Sequence, residues 1–308
     1  MARVLLVLAA AAWGLGTVIS RRAVLEIPAL ALLLIQLVAS VAVLAVVLRS
    51  RGLPLRDPSI PPVLGRLGIL NPGIAYGLSL LGLVSISASL SVLLWAIEPI
   101  VILLLAGWAL REPIGAGLVG LSGLAVLGLV VIVGADGSGT LVGVALTLAG
   151  VACCAVYTVV ARRWLAETGS TLQVVLVQQG YALAAAVVFV LAGAASGLAQ
   201  LPGSISPVAW ASAIASGVLY YGAAYAFYLS GLRRVPASVA ASSFYLVPAF
   251  GVAGGMLLLG ERLSPQQWLG GALVVIVVAA ILRSSRAASP DVAVAAQASR
   301  PAGSSVRA

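Results

Sequence analysis

The sequence predicts an all-α membrane protein whose ten transmembrane helices form two inverted five-helix repeats. Three observations lead to this fold class: an apolar composition, ten apolar segments of membrane-spanning length, and an internal repeat. Of the 308 residues, 62% are hydrophobic and only 8% are charged, whereas about a quarter of the residues in an ordinary soluble domain are charged. A surface with so little charge is suited to lipid and not to water.

Ten segments are apolar over roughly the 20 residues that a helix needs to cross the hydrocarbon core of a bilayer. The first begins near Arg3 like a secretory signal, but it stays apolar as far as Ile19, so we interpret it as a span. Residues 284–308 are rich in Ala, Ser and Pro and are expected to form a disordered cytoplasmic tail. The ten predicted spans are residues 3–20, 30–48, 62–81, 83–106, 114–134, 140–161, 172–193, 207–231, 236–259 and 266–283.

The two halves of the chain align with each other. Tyr76 aligns with Tyr225 and Glu112 with Glu261 at an offset of 149 (225 − 76), and a difference in loop length reduces the offset to 141 near the start of each half. The predicted repeats are residues 1–134 and 135–283. Because each repeat has an odd number of spans, the second enters the membrane upside down, which is a recurring plan in secondary transporters.

Arginine supplies every basic residue, and the arginines lie between the apolar segments. All of them except Arg21, Arg22 and Arg262 fall on one side if both termini are cytoplasmic, as the positive-inside rule requires. We expect the protein to lie in the cell (inner) membrane with both termini in the cytoplasm. The net charge of +9 is explained by this topology, so no nucleic-acid partner is expected.

Several kinds of chemistry are excluded by what the sequence lacks. There is no histidine, which removes imidazole metal sites and histidine acid–base catalysis. Cys153 and Cys154 are adjacent, so a disulfide between them would be strained, and we interpret both as packing residues. No phosphate-binding loop and no catalytic triad is found, so we expect no enzyme activity, no metal and no cofactor.

Glu98 is the one acid that lies well inside an apolar segment. An ionised carboxylate at the centre of a membrane helix costs at least about 2.5 kcal/mol, so such a group normally faces the interior of the bundle. Pro99 cannot donate a backbone hydrogen bond and should kink the helix beside it. Two functional roles are open to Glu98: it binds a substrate ammonium group, or it carries a coupled proton. The structural alternative is a protonated acid that forms a hydrogen bond with a neighbouring helix.

Aromatic and amide side chains form the second candidate set. Tyr221 and Tyr225 share one face of the eighth span, where an apolar ring with a hydroxyl suits a pocket for solutes of mixed polarity. These tyrosines could instead be interfacial or ordinary packing residues, and glutamines could simply join helices. The predicted substrate-binding residues are Glu98, Trp95, Tyr76, Tyr221, Tyr225, Tyr245, Trp13, Gln36 and Gln178.

Two related segments carry a resemblance to a known family. Residues 244–248 (FYLVP), 257–264 (LLLGERLS) and 268–271 (WLGG), together with 95–99 (WAIEP) and 110–113 (LREP) in the first half, resemble EamA-type transporters of the drug/metabolite transporter superfamily. The resemblance implies ten helices in two inverted repeats, a central cavity, and export of metabolites, amino acids or drugs. It also implies that Glu112 and Glu261 mark the ends of spans. The chain departs from the family at Gln36, near which family members often carry an arginine.

The leading functional hypothesis is a secondary transporter, an exporter that works by alternating access through a central cavity. Its partners would be a small-molecule substrate and the lipid bilayer, with Glu98 as the candidate carrier if transport is coupled to protons. The alternatives are a membrane-embedded enzyme that acts on lipid substrates, which would need clustered acids or histidines, and a membrane scaffold or sensor. The substrate, the direction and the oligomeric state are not specified by these patterns.

Overall fold

A computed structural model describes residues 2–110, 116–134, 141–165, 170–195, 204–232, 244 and 246–287. Every regular element in this part of the chain is helical, which confirms the predicted all-α class. The α-helices are α1 (Ala2–Val24), α2 (Ala29–Ser50), α3 (Pro62–Gly68), α4 (Ala75–Leu83), α5 (Ala88–Trp95), α6 (Glu98–Leu110), α7 (Ala116–Gly134), α8 (Leu141–Leu165), α9 (Thr171–Ala195), α10 (Pro207–Ser216), α11 (Ala224–Leu232), α12 (Leu246–Leu259) and α13 (Pro265–Ala287). The first four residues of the predicted tail belong to α13, and the rest of that tail lies outside the described residues.

Four helical stretches are long and apolar enough to cross a membrane by length and composition: Arg3–Val24, Ala29–Ser50, Leu141–Ala161 and Thr171–Ala195. Shorter apolar helical stretches are Ala88–Ile102, Val119–Ile132, Leu246–Leu259 and Pro265–Val277. Lipid can solvate their apolar side chains, and their backbone polar groups are satisfied within each helix, as the hydrocarbon region requires. The protein is therefore a multi-pass membrane protein.

Two of the predicted spans contain a π-helical turn. Ile69–Ile74 joins α3 to α4, and Gly217–Ala223 joins α10 to α11. In the first turn Asn71 leaves the helical conformation (φ −142°, ψ 119°) just before Pro72, which has no N–H to continue the ladder. A π-helical turn accommodates an extra residue, so it shifts the helical register of the side chains that follow it.

The predicted kink beside Pro99 is confirmed as a break between α5 and α6. The backbone N–H groups of Ala96 and Ile97 bond three residues back, to Leu93 O at 3.2 Å and Leu94 O at 3.4 Å. The carbonyl of Ile97 then starts the next helix by accepting the N–H of Ile100 at 2.9 Å. Glu98 consequently opens α6 in its first turn and is not held in the middle of a continuous helix.

The two halves use matching packing partners. α1 packs on α10, α11 and α12, and α8 packs on α4, α5 and α6, while α2 packs on α9 and α7 on α13. Glycines allow the closest approaches: a Cβ added to Gly217 would lie 2.6 Å from the Cα of Gln36, and one added to Gly68 would meet the backbone of Gln178. Gly68 and Gly217 occupy equivalent positions at the offset of 149, so one helix crossing occurs twice. Small residues at such crossings let helices pack closely in lipid.

Candidate functional site

Glu98 lies deep in the bundle at the break between α5 and α6, and part of its side chain remains accessible. Its carboxylate accepts a hydrogen bond from the thiol of Cys154 on α8, with Sγ and Oε1 3.1 Å apart. Within the described residues Glu98 has no ion-pair partner. Tyr220 and Tyr228 lie close enough to interact electrostatically with the Glu98 carboxylate. The arrangement is a carboxyl group in an apolar interior that has no cationic partner among the described residues.

Five aromatic side chains pack together next to this carboxyl, and we call them the aromatic cluster: Tyr76, Trp95, Tyr220, Tyr221 and Tyr225. Tyr76 lies at its centre, with ring centroids 5.5 Å from Trp95, 5.2 Å from Tyr220 and 5.4 Å from Tyr221. Its hydroxyl lies 2.9 Å from the hydroxyl of Tyr225. Trp95 is held by its indole N–H, which donates to Ser79 at 2.9 Å. The cluster brings together side chains of α4, α5 and the α10–α11 span.

Trp13 extends the aromatic surface along α1. Its ring lies 5.5 Å from Tyr225, 5.5 Å from Tyr228 and 5.3 Å from Phe244, the last in a stacked arrangement. Its indole N–H is buried and has no hydrogen-bond partner among the described residues. An unpartnered buried donor typically costs about 1–3 kcal/mol, so this N–H is available to a bound molecule.

A cavity of about 20 Å³ lies against the aromatic cluster, which is room for about one water molecule. The cavity contacts hydroxyls of α1 and α4 as well as the aromatic rings. Its lining residues are Thr17, Ser20, Tyr76, Ser79, Leu80, Leu83, Tyr220 and Tyr221. A metabolite does not fit into this volume, so the rings must separate before one can bind there.

The predicted glutamines lie at helix crossings and not against this cavity. Gln36 is fully buried and donates hydrogen bonds of 2.8 Å to both Ser20 and Ser216. Gln178 donates to the carbonyl of Leu64 at 3.0 Å and accepts from Tyr157 at 2.9 Å. Both amides therefore form hydrogen bonds between neighbouring helices, which is the structural alternative to the substrate-binding role predicted for them. Tyr245 and residues 233–243 lie outside the described residues.

Three of the site's side chains could not be picked out from the sequence. Cys154 is one of two adjacent cysteines in an apolar run, and only the packing of α8 against α6 turns its thiol toward Glu98. Tyr220 reaches the cluster beside Tyr221 because both lie in the π-helical turn. Ser79 belongs to no sequence motif that would indicate its contact with Trp95. The one available signal was the unusual density of tyrosines in residues 220–228.

Glu261 has a structural role away from this site. Its carboxylate accepts hydrogen bonds from the backbone N–H of Ala88 at 2.8 Å and from the N–H and hydroxyl of Ser89 at 2.9 and 2.6 Å. It therefore satisfies free N–H groups at the start of α5, where negative charge is also favoured by the helix dipole. This position at the end of α12 agrees with the span-end role expected for Glu261.

Comparisons with known proteins agree with this architecture. The model of the EamA-like transporter family matches residues 1–134 and 141–283. Thirteen chains of solved structures match, among them one titled only "Crystal structure of protein", which superimposes with a TM-score of 0.64 at 20% identity over 94% of this chain and 99% of that chain. That likeness concerns the fold alone. No curated protein matches the sequence. Because the family model matches twice and covers most of the chain, this multi-pass membrane protein belongs to the EamA-like transporter family.

Proposed function

We propose that the protein is a secondary transporter that exports small organic molecules, such as metabolites, amino acids or drugs, by alternating access through the site around Glu98. The observation that carries the proposal is this carboxyl group, which lies in an apolar interior beside the aromatic cluster and whose hydrogen-bond partner among the described residues is a thiol. A charge that is costly to bury and has no structural ion pair is typical of a substrate or ion pathway. Aromatic walls with few polar groups are typical of small-molecule sites.

Glu98 can act in two ways within this proposal. It can bind the ammonium group of a cationic substrate, or it can carry the proton whose gradient drives export. The Cys154 thiol is a neutral donor. It therefore orients the Glu98 carboxylate but does not compete with a cationic substrate for its charge, as a basic side chain would. No phosphate-binding loop is present in the sequence, so the energy would come from a gradient or from exchange.

The proposed topology has ten spans in two inverted repeats, residues 1–134 and 135–283. Aligned elements of the two repeats meet each other, as they do on either side of a two-fold axis. Tyr76 and Tyr225 are in hydroxyl contact, and α7 packs on α13, the last predicted span of the other repeat, where Gly128 and Gly270 each approach the backbone of the other helix. In transporters built this way, substrate sites lie at the interface of the repeats, which is where the aromatic cluster lies.

The proposed orientation has both termini in the cytoplasm and the protein in the cell (inner) membrane. Arg21, an exception to the arginine bias, donates to the carbonyl of Val84 at 3.3 Å and interacts electrostatically with Glu261. Its presence on the outer side therefore has a local structural reason, so it does not weigh against the bias of the other arginines.

Transport through this site requires the aromatic cluster to open. The cavity beside it holds about one water molecule, so the described conformation is closed at this level. The hydrogen bond between Tyr76 and Tyr225 joins the two repeats at 2.9 Å. We expect this contact to break when the repeats move relative to each other.

The proposal is tested by comparing metabolites in the medium and in cells that express the unaltered protein, Glu98→Gln or Asp57→Asn. Asp57 is an acid in the loop before α3, whose carboxylate bonds Ser59 at 2.6 Å, so its substitution removes the same charge away from the site. We expect one compound class to leave the cell with the unaltered protein and with Asp57→Asn, but not with Glu98→Gln.

Purified protein in liposomes then separates the two roles of Glu98. A proton carrier loses pH-driven transport of that compound on substitution by Gln but keeps exchange of labelled for unlabelled compound. A substrate ligand loses both. Unchanged pH-driven transport by Glu98→Gln would refute the proposal.

A further inference from the structure

Helices α1, α10 and α12 enclose an open groove on the surface of the bundle, separate from the aromatic cluster. Its volume is about 540 Å³. The walls are apolar, with Val18 on α1, Val208 and Ala211 on α10 and Leu258 on α12, and a single charged residue, Arg22, lines it as well. Val208 is 49% exposed and Leu258 58% exposed, so the groove is open to the surrounding lipid.

The groove begins near the end of α1 and the start of α10, and such helix ends are expected at the membrane surface. Arg22 is two residues from the end of α1, and Pro207 is the first residue of α10. Trp210 lies one turn further along α10 with 43% of its surface exposed, at the level where tryptophans are enriched in membrane proteins. From Pro207 to Ala215 the groove extends about 12 Å at 1.5 Å per residue, which remains within one leaflet of a core about 30 Å thick.

The guanidinium group of Arg22 makes no hydrogen bond to any residue in the described ranges. Glu26 is the acid that attracts it, and the carboxylate of Glu26 already accepts the N–H and the hydroxyl of Ser206 at 2.9 and 2.8 Å. A guanidinium group with free donors matches the geometry of a phosphate group.

We propose that this groove binds one anionic phospholipid, with its phosphate on Arg22 and one acyl chain between α10 and α12. The apolar walls account for the acyl chain, and the guanidinium group at the surface end, whose donors are free within the described residues, accounts for the preference for a net negative lipid. In the orientation proposed above the lipid belongs to the outer leaflet. The binding site itself depends only on the protein being in a membrane and not on what it transports.

The lipid would act on the transporter through α1. The face of α1 that lines the groove carries Val18 and Arg22, whereas Thr17 and Ser20 of the same helix line the cavity beside the aromatic cluster. A lipid in the groove contacts α1, α10 and α12 together. Its binding would therefore favour the arrangement of these three helices that the structure shows.

The test is native mass spectrometry of protein incubated in detergent with equal amounts of phosphatidylglycerol and phosphatidylcholine. We expect Arg22→Gln to lower retention of phosphatidylglycerol about fivefold relative to Arg262→Gln, which corresponds to about 1 kcal/mol for one basic residue at an anionic surface. Arg262 is an exposed arginine that follows α12 and does not line the groove, so it is the matched control for charge.

A second pair of variants tests the groove itself. Ala211→Phe places a ring in the space for the acyl chain and should reduce retention of both lipids, whereas Val126→Phe, at a 57% exposed position of α7, should reduce neither. Ala211 and Arg22 are exposed, so both variants should melt at the temperature of the unaltered protein. Equal phosphatidylglycerol retention by Arg22→Gln and Arg262→Gln, or by Ala211→Phe and Val126→Phe, would overturn the proposal.

Discussion

Substitution of Gly217 by alanine tests how closely the two repeats are packed. A Cβ at this position would lie 2.6 Å from both the Cα and the carbonyl oxygen of Gln36, a separation that backbone atoms cannot relieve without moving a helix. The backbone of Gly217 is helical (φ −58°, ψ −50°), so alanine introduces no conformational strain. The same change at Gly180 on α9 meets no atom within 4 Å.

The expected magnitude follows from comparing the two variants. Both gain the helix propensity of alanine, about 1 kcal/mol over glycine, and this gain cancels in the comparison. What remains is the cost of overpacking, typically about 1–3 kcal/mol, and contacts with backbone favour the upper part of that range. Gly180→Ala should therefore be slightly more stable than the unaltered protein, and Gly217→Ala less stable than Gly180→Ala by about 1–3 kcal/mol.

Unfolding in mixed detergent micelles with increasing dodecyl sulfate measures this difference directly. Gly68→Ala serves as the internal replicate, because its Cβ would meet the backbone of Gln178 at the equivalent crossing. Both crossing variants should be destabilised, and Gly68→Ala at least as much as Gly217→Ala, because its Cβ would come closer to the backbone that it meets. Equal stability of Gly217→Ala and Gly180→Ala would refute the packing argument at this crossing.

Three further predictions concern hydrogen bonds away from these crossings. Removal of either hydroxyl, in Tyr76→Phe or Tyr225→Phe, should lose one bond of 2.9 Å, so a double-mutant cycle of unfolding free energies should give a coupling of about 0.5–1.5 kcal/mol. Glu261→Gln should lower the melting temperature, because the charged acceptor of three hydrogen bonds at the start of α5 is replaced by a neutral one. Hydrogen bonds from Ser206 lower the pKa of the exposed Glu26 below its ordinary value of 4.5, so the stability that this contact contributes is present above that value and is lost as pH falls through the lowered pKa. The difference in melting temperature between the unaltered protein and Ser206→Ala should therefore shrink at acidic pH, to the part that comes from the N-cap bond between the Ser206 hydroxyl and the N–H of Ala209.

Each of these predictions has an outcome that contradicts it. Additive effects of the two tyrosine substitutions would mean that the hydroxyl contact contributes nothing to stability. Arg262→Gln changes the residue next to Glu261, and an equal loss of melting temperature in both variants would assign the effect to the loop and not to the cap of α5. A constant difference between the unaltered protein and Ser206→Ala at all pH values would exclude the Glu26 carboxylate as the cause.

The sequence predicted those features that depend on hydrophobicity and on rare residues. Apolar runs indicate where helices can cross lipid, and an acid within such a run stands out, which is why Glu98 could be named in advance. The internal alignment paired Tyr76 with Tyr225, and the structure brings their hydroxyls to 2.9 Å. The partners of a side chain are harder to predict, since they depend on how helices rotate against each other.

The features that were not predicted follow from local breaks in helical periodicity. Tyr220 joins the aromatic cluster because the π-helical turn at Gly217–Ala223 shifts the register that a regular helix would have. Cys154 meets Glu98 because α6 starts anew after the break at Ala96 and Ile97. A pattern based on 3.6 residues per turn cannot represent either case.

The contact between Tyr76 and Tyr225 has a consequence for how direction arises in the proposed transport cycle. The contact joins the same type of residue at aligned positions of the two repeats, and either hydroxyl can donate, so it does not by itself favour an inward-facing or an outward-facing state. Any preference between the two states must come from positions where the repeats differ. Glu98 aligns with the aliphatic Val247 of the second repeat, so protonation or ligand binding at Glu98 has no counterpart there and would favour one of the two states over the other.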